Sequence, residues 1–448
     1  MTETAQRPGE AGHLNATLGL GGVTLFGLAY MAPIIVLGIF GVIAEASAGA
    51  SAGSYLLATV AMLFTAASYA KMSVHYPVAG SSYTYVRKAL DSRLGFLVGW
   101  TILLDYLFLP LVIWLIGAAY LTGEFPAVPA WVWIVAFIVV TTALNILGLK
   151  VADKANLVLM ALQFLVIALF IGFAVAHMVS RHGGGSLLSV TPFSGTGGFP
   201  AIAAGAAIAA YSFLGFDAVS TLTEDTKNPQ RNIPRAIMLV ALIGGVVFVT
   251  VAYILTLVQP GGTFPNADSL AADTARTIGG ALFAAFFVTG LIIGQFTSGL
   301  AAQASVSRLL YAMGRDSVLP KKFFGTLSPR FFTPVFNIVL CGLIGLGAVF
   351  LSVATSTSFI NFGAFTAFTL VNLSVIGYFV RHRHEQQLNP LTYVVIPLIG
   401  AVVDVYLLTQ LGSAALTLGV IWMSIGVVYL LVLTRGLRVP PPELSLAE

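Results

Sequence analysis

The sequence is short of charge. Of its 448 residues, 21 are Lys or Arg and 17 are Asp or Glu, or 8%. An average soluble protein carries roughly 25%. A chain of this length cannot be coated for water with so few charges, which excludes a water-soluble enzyme and a nucleic-acid binder. The net charge of +4 is a small surplus, of the kind that membrane proteins place on cytoplasmic loops. Cysteine is almost absent. Cys341 stands alone in an apolar run, so there is no internal disulfide, and a metal–cysteine cluster is not expected. The six histidines lie in tails or near the ends of apolar runs, without ligand spacing. No metal and no organic cofactor is expected. Residues 1–15 are polar and lack an apolar stretch, so no cleavable signal peptide is expected.

What is abundant is apolar sequence: 58% of the residues are hydrophobic. A membrane-spanning helix needs about 20 mostly apolar residues. Twelve runs qualify, at roughly 18–43, 53–74, 94–121, 130–148, 153–178, 200–223, 234–258, 278–305, 334–353, 357–380, 393–411 and 413–434. The basic residues test this count. With the N-terminus inside, 19 of the 21 fall on the cytoplasmic side, and only Arg181 and Arg276 fall outside. A missed span would scramble the alternation beyond it. Both tails, 1–17 and 435–448, are then cytoplasmic.

Two spans are interrupted. In the first, Ala29-Tyr30-Met31-Ala32-Pro33 lies mid-span. Proline donates no N–H and disfavours helix at the residue before it. This predicts two half-helices, with Pro33 opening the second. In the sixth, Tyr211-Ser212-Phe213-Leu214-Gly215-Phe216-Asp217 puts a glycine and an acid at membrane depth. The breaks hold the same position in two five-helix halves. Paired interrupted segments of this kind point to an inverted-repeat transporter. Taken singly, a packing kink is the competing reading.

At these residues the chain resembles a known family. Phe213-Leu-Gly-Phe-Asp217-Ala-Val-Ser-Thr-Leu-Thr-Glu224, continuing to Pro229 and Pro234, is similar to the span-six signature of the amino acid–polyamine–organocation (APC) superfamily. Pro77-Val-Ala-Gly80-Ser-Ser-Tyr83 and Ser307-Arg308-Leu-Leu-Tyr311 resemble two of its other motifs. Within it, Gly27-Leu-Ala-Tyr30-Met-Ala-Pro33, Leu103-Leu-Asp105-Tyr106-Leu-Phe-Leu-Pro110 and the Asn361–Asn372 stretch most resemble the bacterial putrescine importers. The resemblance implies an all-α membrane protein of twelve helices with a LeuT-type 5+5 inverted repeat. Repeats at 18–178 and 200–380 would flank an extracytoplasmic loop at 179–199, with spans 11 and 12 peripheral at 381–434. It also implies secondary transport by alternating access in the inner membrane, with proton coupling or exchange.

Three acids lie at membrane depth: Asp105, Asp217 and Asp404. A charge there is costly, which makes each a functional candidate. With no Lys or Arg at comparable depth, such an acid either meets a cationic substrate or carries a proton. Asp105 is read as the contact for a substrate ammonium, with Tyr106 beside it, and together with Asp217 as a candidate for the coupling proton; packing on a neighbouring helix is the alternative. Asp217 is read as the coupling acid of the span-six hinge, or else as a helix cap. Asp404 falls outside the repeats and is assigned a structural or oligomer-contact role. The expected substrate site joins Ala29, Tyr30, Met31 and Ala32 with Asp105, Tyr106, Tyr211, Phe213, Gly215, Asp217 and Ser298. The tyrosines and Phe213 are suited to cation–π contact. Thr297, Ser298, Asn361 and Asn372 also suit interhelical hydrogen bonds. Glu224 with Arg231 is a candidate gate pair or a solvated one.

Two departures from the superfamily pattern bear on the substrate. Pro33 removes a donor from the first break, which favours a plain amine over a carboxylate-bearing substrate. Gln163 stands where some proton-coupled relatives carry a lysine, so a coupling proton would ride on a carboxylate. The expectation is a proton-coupled importer of putrescine or a related polyamine, acting on no nucleic acid. An amino-acid permease or antiporter of the same fold is the first alternative, and a non-transporting membrane sensor the second. Monomer and homodimer, and proton and sodium, stay open.

Overall fold

The computed structural model describes residues 18–78, 81–148, 153–182, 187–223, 225–315 and 318–442. Glu224 of the candidate gate pair lies outside them, and Arg231 is exposed. The described chain is helical. Its only β feature is an isolated bridge, where Leu18 N–H donates to Asp225 O at 3.0 Å and Lys227 N–H donates to Leu18 O at 2.9 Å.

The helices are α1 (Leu20–Met31), α2 (Ile35–Gly38), α3 (Phe40–Ala46), α4 (Ser51–His75), α5 (Ser81–Ala89) and α6 (Ser92–Glu124). Next come α7 (Ala130–Ile146), α8 (Asp153–His182), α9 (Thr191–Ser194), α10 (Gly198–Ala209), α11 (Pro229–Val258) and α12 (Leu270–Arg315). The last are α13 (Lys321–Phe324), α14 (Val335–Gly345), α15 (Val353–His382), α16 (Ile396–Thr409) and α17 (Ser413–Leu433). Among the described residues, ten helical segments are long and apolar enough to cross a membrane, and two shorter apolar ones occupy Ala130–Ile146 and Val335–Phe350. The shorter two coincide with the fourth and ninth runs expected from sequence. The 17 residues of α7 reach about 26 Å, just short of a hydrocarbon core of roughly 30 Å.

The eighth span departs from expectation. Helix begins at Leu270 rather than near 278, and Gly280 (φ 74°, ψ −175°) kinks α12 close to the expected start of the span. The inner helices pack through small residues. A β-carbon on Gly27 would stand 2.5 Å from Val219, and one on Gly244 2.5 Å from Met31 Sδ. In a membrane, where apolar burial drives little, such close backbone approach is what holds helices together. The outer helix α17 is joined to α6 by a reciprocal pair: Trp100 Nε1–H donates to Trp422 O at 2.9 Å, and Trp422 Nε1–H to Trp100 O at 3.0 Å.

Candidate functional site

Both breaks expected from sequence are present. Helix α1 stops at Met31. Ala32 adopts a left-handed conformation (φ 48°), and its N–H returns to Leu28 O and Ala29 O. A non-glycine residue there is strained. Pro33 follows, and helix resumes at Ile35. In the second break, α10 tightens into a 3-10 turn at Ala210–Phe213. Gly215 turns the chain at φ +115°, and a second 3-10 turn runs over Asp217–Leu222. Gly215 is needed: a β-carbon on it would stand 2.6 Å from Tyr30 Cδ1 and 3.1 Å from Met31 N.

Other helices support the bends. Moving from α-helix to 3-10 changes which N–H each carbonyl meets. Asn361 Nδ2 of α15 donates to Ala207 O at 2.6 Å and to Ile208 O at 3.3 Å, just before the tightened turn. Tyr55 of α4 meets Ser212 Oγ at 3.0 Å. Asp217 Oδ1 accepts from Gly215 N–H at 3.3 Å, so the acid clamps the bend that it follows. Ser220 in the second turn bonds Ser81 Oγ of α5 at 2.9 Å.

A cavity opens between the breaks. Tyr30, Met31, Ala32, Ile34 and Ile35 form one wall, and Tyr211, Leu214, Gly215, Asp217 and Ala218 a second. Helix α6 adds Asp105, Tyr106, Leu109 and Ile113; α8 adds Gln163; α12 adds Gly294, Gln295 and Ser298. Two acids and no Lys, Arg or His are among these residues. Asp105 Oδ1 is buried and has no hydrogen-bond partner among the described residues, and the same holds for Gln163 Oε1. Pro110 lies inside α6. Its missing N–H deprives the Tyr106 carbonyl of its helical partner, which adds a polar group beside Asp105.

Of the residues named from sequence, Tyr30, Met31, Ala32, Asp105, Tyr106, Tyr211, Gly215, Asp217 and Ser298 come together here. Ala29 and Phe213 do not line the cavity. Ala29 contributes its carbonyl to the cap of α1. Phe213 is fully buried and meets Phe248 edge-on at 5.1 Å. In a 3-10 turn residues i and i+3 share a face. Tyr211 and Leu214 therefore face the cavity together, and Phe213 faces away. Thr297 Oγ1 donates to Ile293 O at 2.9 Å within its own helix. Asn361 serves the break, and Asn372 and Asp404 bond each other elsewhere. Gln295 was missed by sequence reasoning. Its signal was a polar side chain in an apolar run, three residues before Ser298.

The amino acid permease family model matches residues 22–431. The chain belongs to the amino acid permease family. This permease is 40% identical to the low-affinity putrescine importer PlaP of Escherichia coli, over 96% of each chain. It is 28% identical to the methylthioribose transporter of Bacillus subtilis, over 95% of this chain and 94% of that one. It is also 28% identical to the branched-chain amino acid permease BcaP of the same organism, over 94% of each. The permease is a multi-pass membrane protein, and its family and these relatives are transporters rather than enzymes.

Proposed function

We propose that this permease imports putrescine or a related small cationic amine by alternating access around the cavity between the two breaks. The observation that carries the reading is the lining: two carboxyls, no base, and Asp105 Oδ1 without a partner. A carboxylate in an apolar wall at membrane depth is unfavourable until a cation meets it. One ammonium sits at Asp105, ringed by Tyr30, Tyr106 and Tyr211, whose faces attract cations. Ile34, Ile35, Leu109, Ile113 and Leu214 accommodate the methylene chain. Asp217 holds the coupling proton and, through Gly215, ties its binding to the shape of the second break. The similarity to a putrescine importer over 96% of each chain supports the same substrate class.

On this reading the chain has twelve spans with both termini cytoplasmic. Repeats at 18–178 and 200–380 carry the breaks, and 381–434 is peripheral. Gly280 and the shorter α7 and α14 fit within that scheme. An amino-acid substrate is the second reading, favoured by the likeness to a branched-chain amino acid permease. The test is uptake of radiolabelled putrescine, leucine and arginine into proteoliposomes under imposed proton or sodium gradients. Putrescine accumulation driven by an inward proton gradient is expected. Uptake of amino acids alone selects the second reading. Dependence on sodium alone removes the proton from the first, and no uptake under any gradient refutes both.

A further inference from the structure

Asp404 lies outside the cavity, on α16, and is fully buried. Three helices meet at it. Its Oδ2 accepts from Thr65 Oγ1 of α4 at 2.8 Å and from Asn372 Nδ2 of α15 at 2.9 Å. Asn372 Nδ2 also reaches Thr65 Oγ1 at 3.1 Å. The carboxamide lies across Gly400, one turn before Asp404 on the same helix. A β-carbon on Gly400 would stand 2.7 Å from Asn372 Oδ1 and 2.9 Å from Nδ2. Only glycine leaves room for this approach.

Two oxygens are left over. Asp404 Oδ1 and Asn372 Oδ1 are both buried, and neither has a hydrogen-bond partner among the described residues. Buried polar groups are nearly always paired, and a buried carboxylate without a cation is strongly disfavoured. The charged side chains of the packed helices are engaged elsewhere. Lys71 of α4 lies 4.6 Å over the Tyr393 ring. Tyr393 is 11 residues before Asp404, about 16 Å along a helix. His75 of α4 bonds the Tyr393 hydroxyl at 2.9 Å, and His382 of α15 stacks on Tyr378 at 4.1 Å. Arg381 of α15 donates to the carbonyls of Lys88 and Leu90. Helix α10, also packed on α16, has no charged residue. The remaining titratable group on this face of α4 is Tyr69, one turn beyond Thr65.

We propose that Asp404 is a proton-binding site. The carboxylate takes up one proton from bulk solvent and keeps it on Oδ1, and the resulting O–H donates a hydrogen bond to Asn372 Oδ1. With the bond from Asn372 Nδ2 to Oδ2, this closes an acid–amide ring. One proton thus gives both leftover oxygens a partner and removes the buried charge. The ring, with the Thr65 hydroxyl at its edge, fastens α16 to α4 and α15.

Infrared difference spectroscopy of the permease in lipid tests this, wild type against Asp404→Asn. A protonated-carboxyl C=O band should be present in the wild type from neutral to alkaline pH and absent from the variant. The asparagine can close the same ring as an amide pair, so Tm should be retained in Asp404→Asn. Asp404→Ala should lower it by on the order of 5 °C. If the alanine variant does not fold, Asn372→Ala supplies the contrast, with the acid band displaced as its acceptor is lost. The proposal is overturned if Asp404→Asn removes no acid band, or if its Tm falls as far as that of Asp404→Ala. It is also overturned if sodium raises the Tm of the wild type but not of Asp404→Asn, which would make this a metal-cation site.

Discussion

Gly215 and Tyr30 meet across the two helix breaks, with no space for a β-carbon between them: one on Gly215 would lie 2.6 Å from Tyr30 Cδ1. The same glycine holds φ +115°. Gly215→Ala therefore meets both a clash and a backbone that L-residues avoid. Strain of this kind costs about 1–3 kcal/mol. The variant should lower Tm and reduce uptake about tenfold or more. Wild-type uptake from folded Gly215→Ala protein would show that the contact between the breaks is dispensable.

Asp105→Asn keeps the shape of the cavity wall and removes its unpartnered carboxyl. A hydrogen bond to a charged group contributes about 1.5–3 kcal/mol, so KM for putrescine should rise roughly 10- to 100-fold. Tm should not fall, because the amide places no charge in the membrane. Concentration-dependent uptake and a thermal melt of the same preparation check both. An unchanged KM would remove the ammonium contact from Asp105.

Part of this was legible in sequence because it depends on residue type and spacing. Pro33 forces a break wherever it falls in a span, and the long apolar runs mark membrane-length helices without knowledge of their packing. Asp105 and Asp217 stood out because acids are rare at that depth. What stayed hidden depends on helix pitch or on distant partners. The turn from α to 3-10 at 210 moves Phe213 off the cavity while keeping Tyr211 on it, and a helical period of 3.6 does not foresee that. Asn361 and Ala207 are 154 residues apart, and so are paired only by the fold. The same holds for Thr65 and Asp404, which turn an isolated acid into a bonded one. Gln295 shows in sequence as a polar residue in an apolar run, but that it faces the cavity is set by the packing of its helix.

Asn361→Ala should destabilise the second break. It removes the side-chain donor shared by Ala207 O and Ile208 O, and a buried hydrogen bond contributes about 0.5–1.5 kcal/mol. Asn361→Asp should be at least as harmful, because it turns an acceptor toward two carbonyls. Thermal melts in detergent read both. A Tm equal to wild type in either would mean that α10 supports its own bend.

Trp422→Phe should loosen the outer helix without touching the cavity. It deletes the bond to Trp100 O while keeping an aromatic ring against Trp100, 5.0 Å away in the native pair. The expected result is a lower Tm with an unchanged KM. Neither tryptophan lines the cavity, so a changed KM would show that α17 acts on the site through α6.

The backbone bonds at Leu18 couple two pieces that the sequence separates by some two hundred residues. They tie the start of α1 to the chain just beyond the 217–222 turn. Each piece ends at a break, one at Ala32 and the other at Gly215. Joined at the far end, the two pieces form one frame around the cavity, and they cannot part there without breaking two backbone hydrogen bonds.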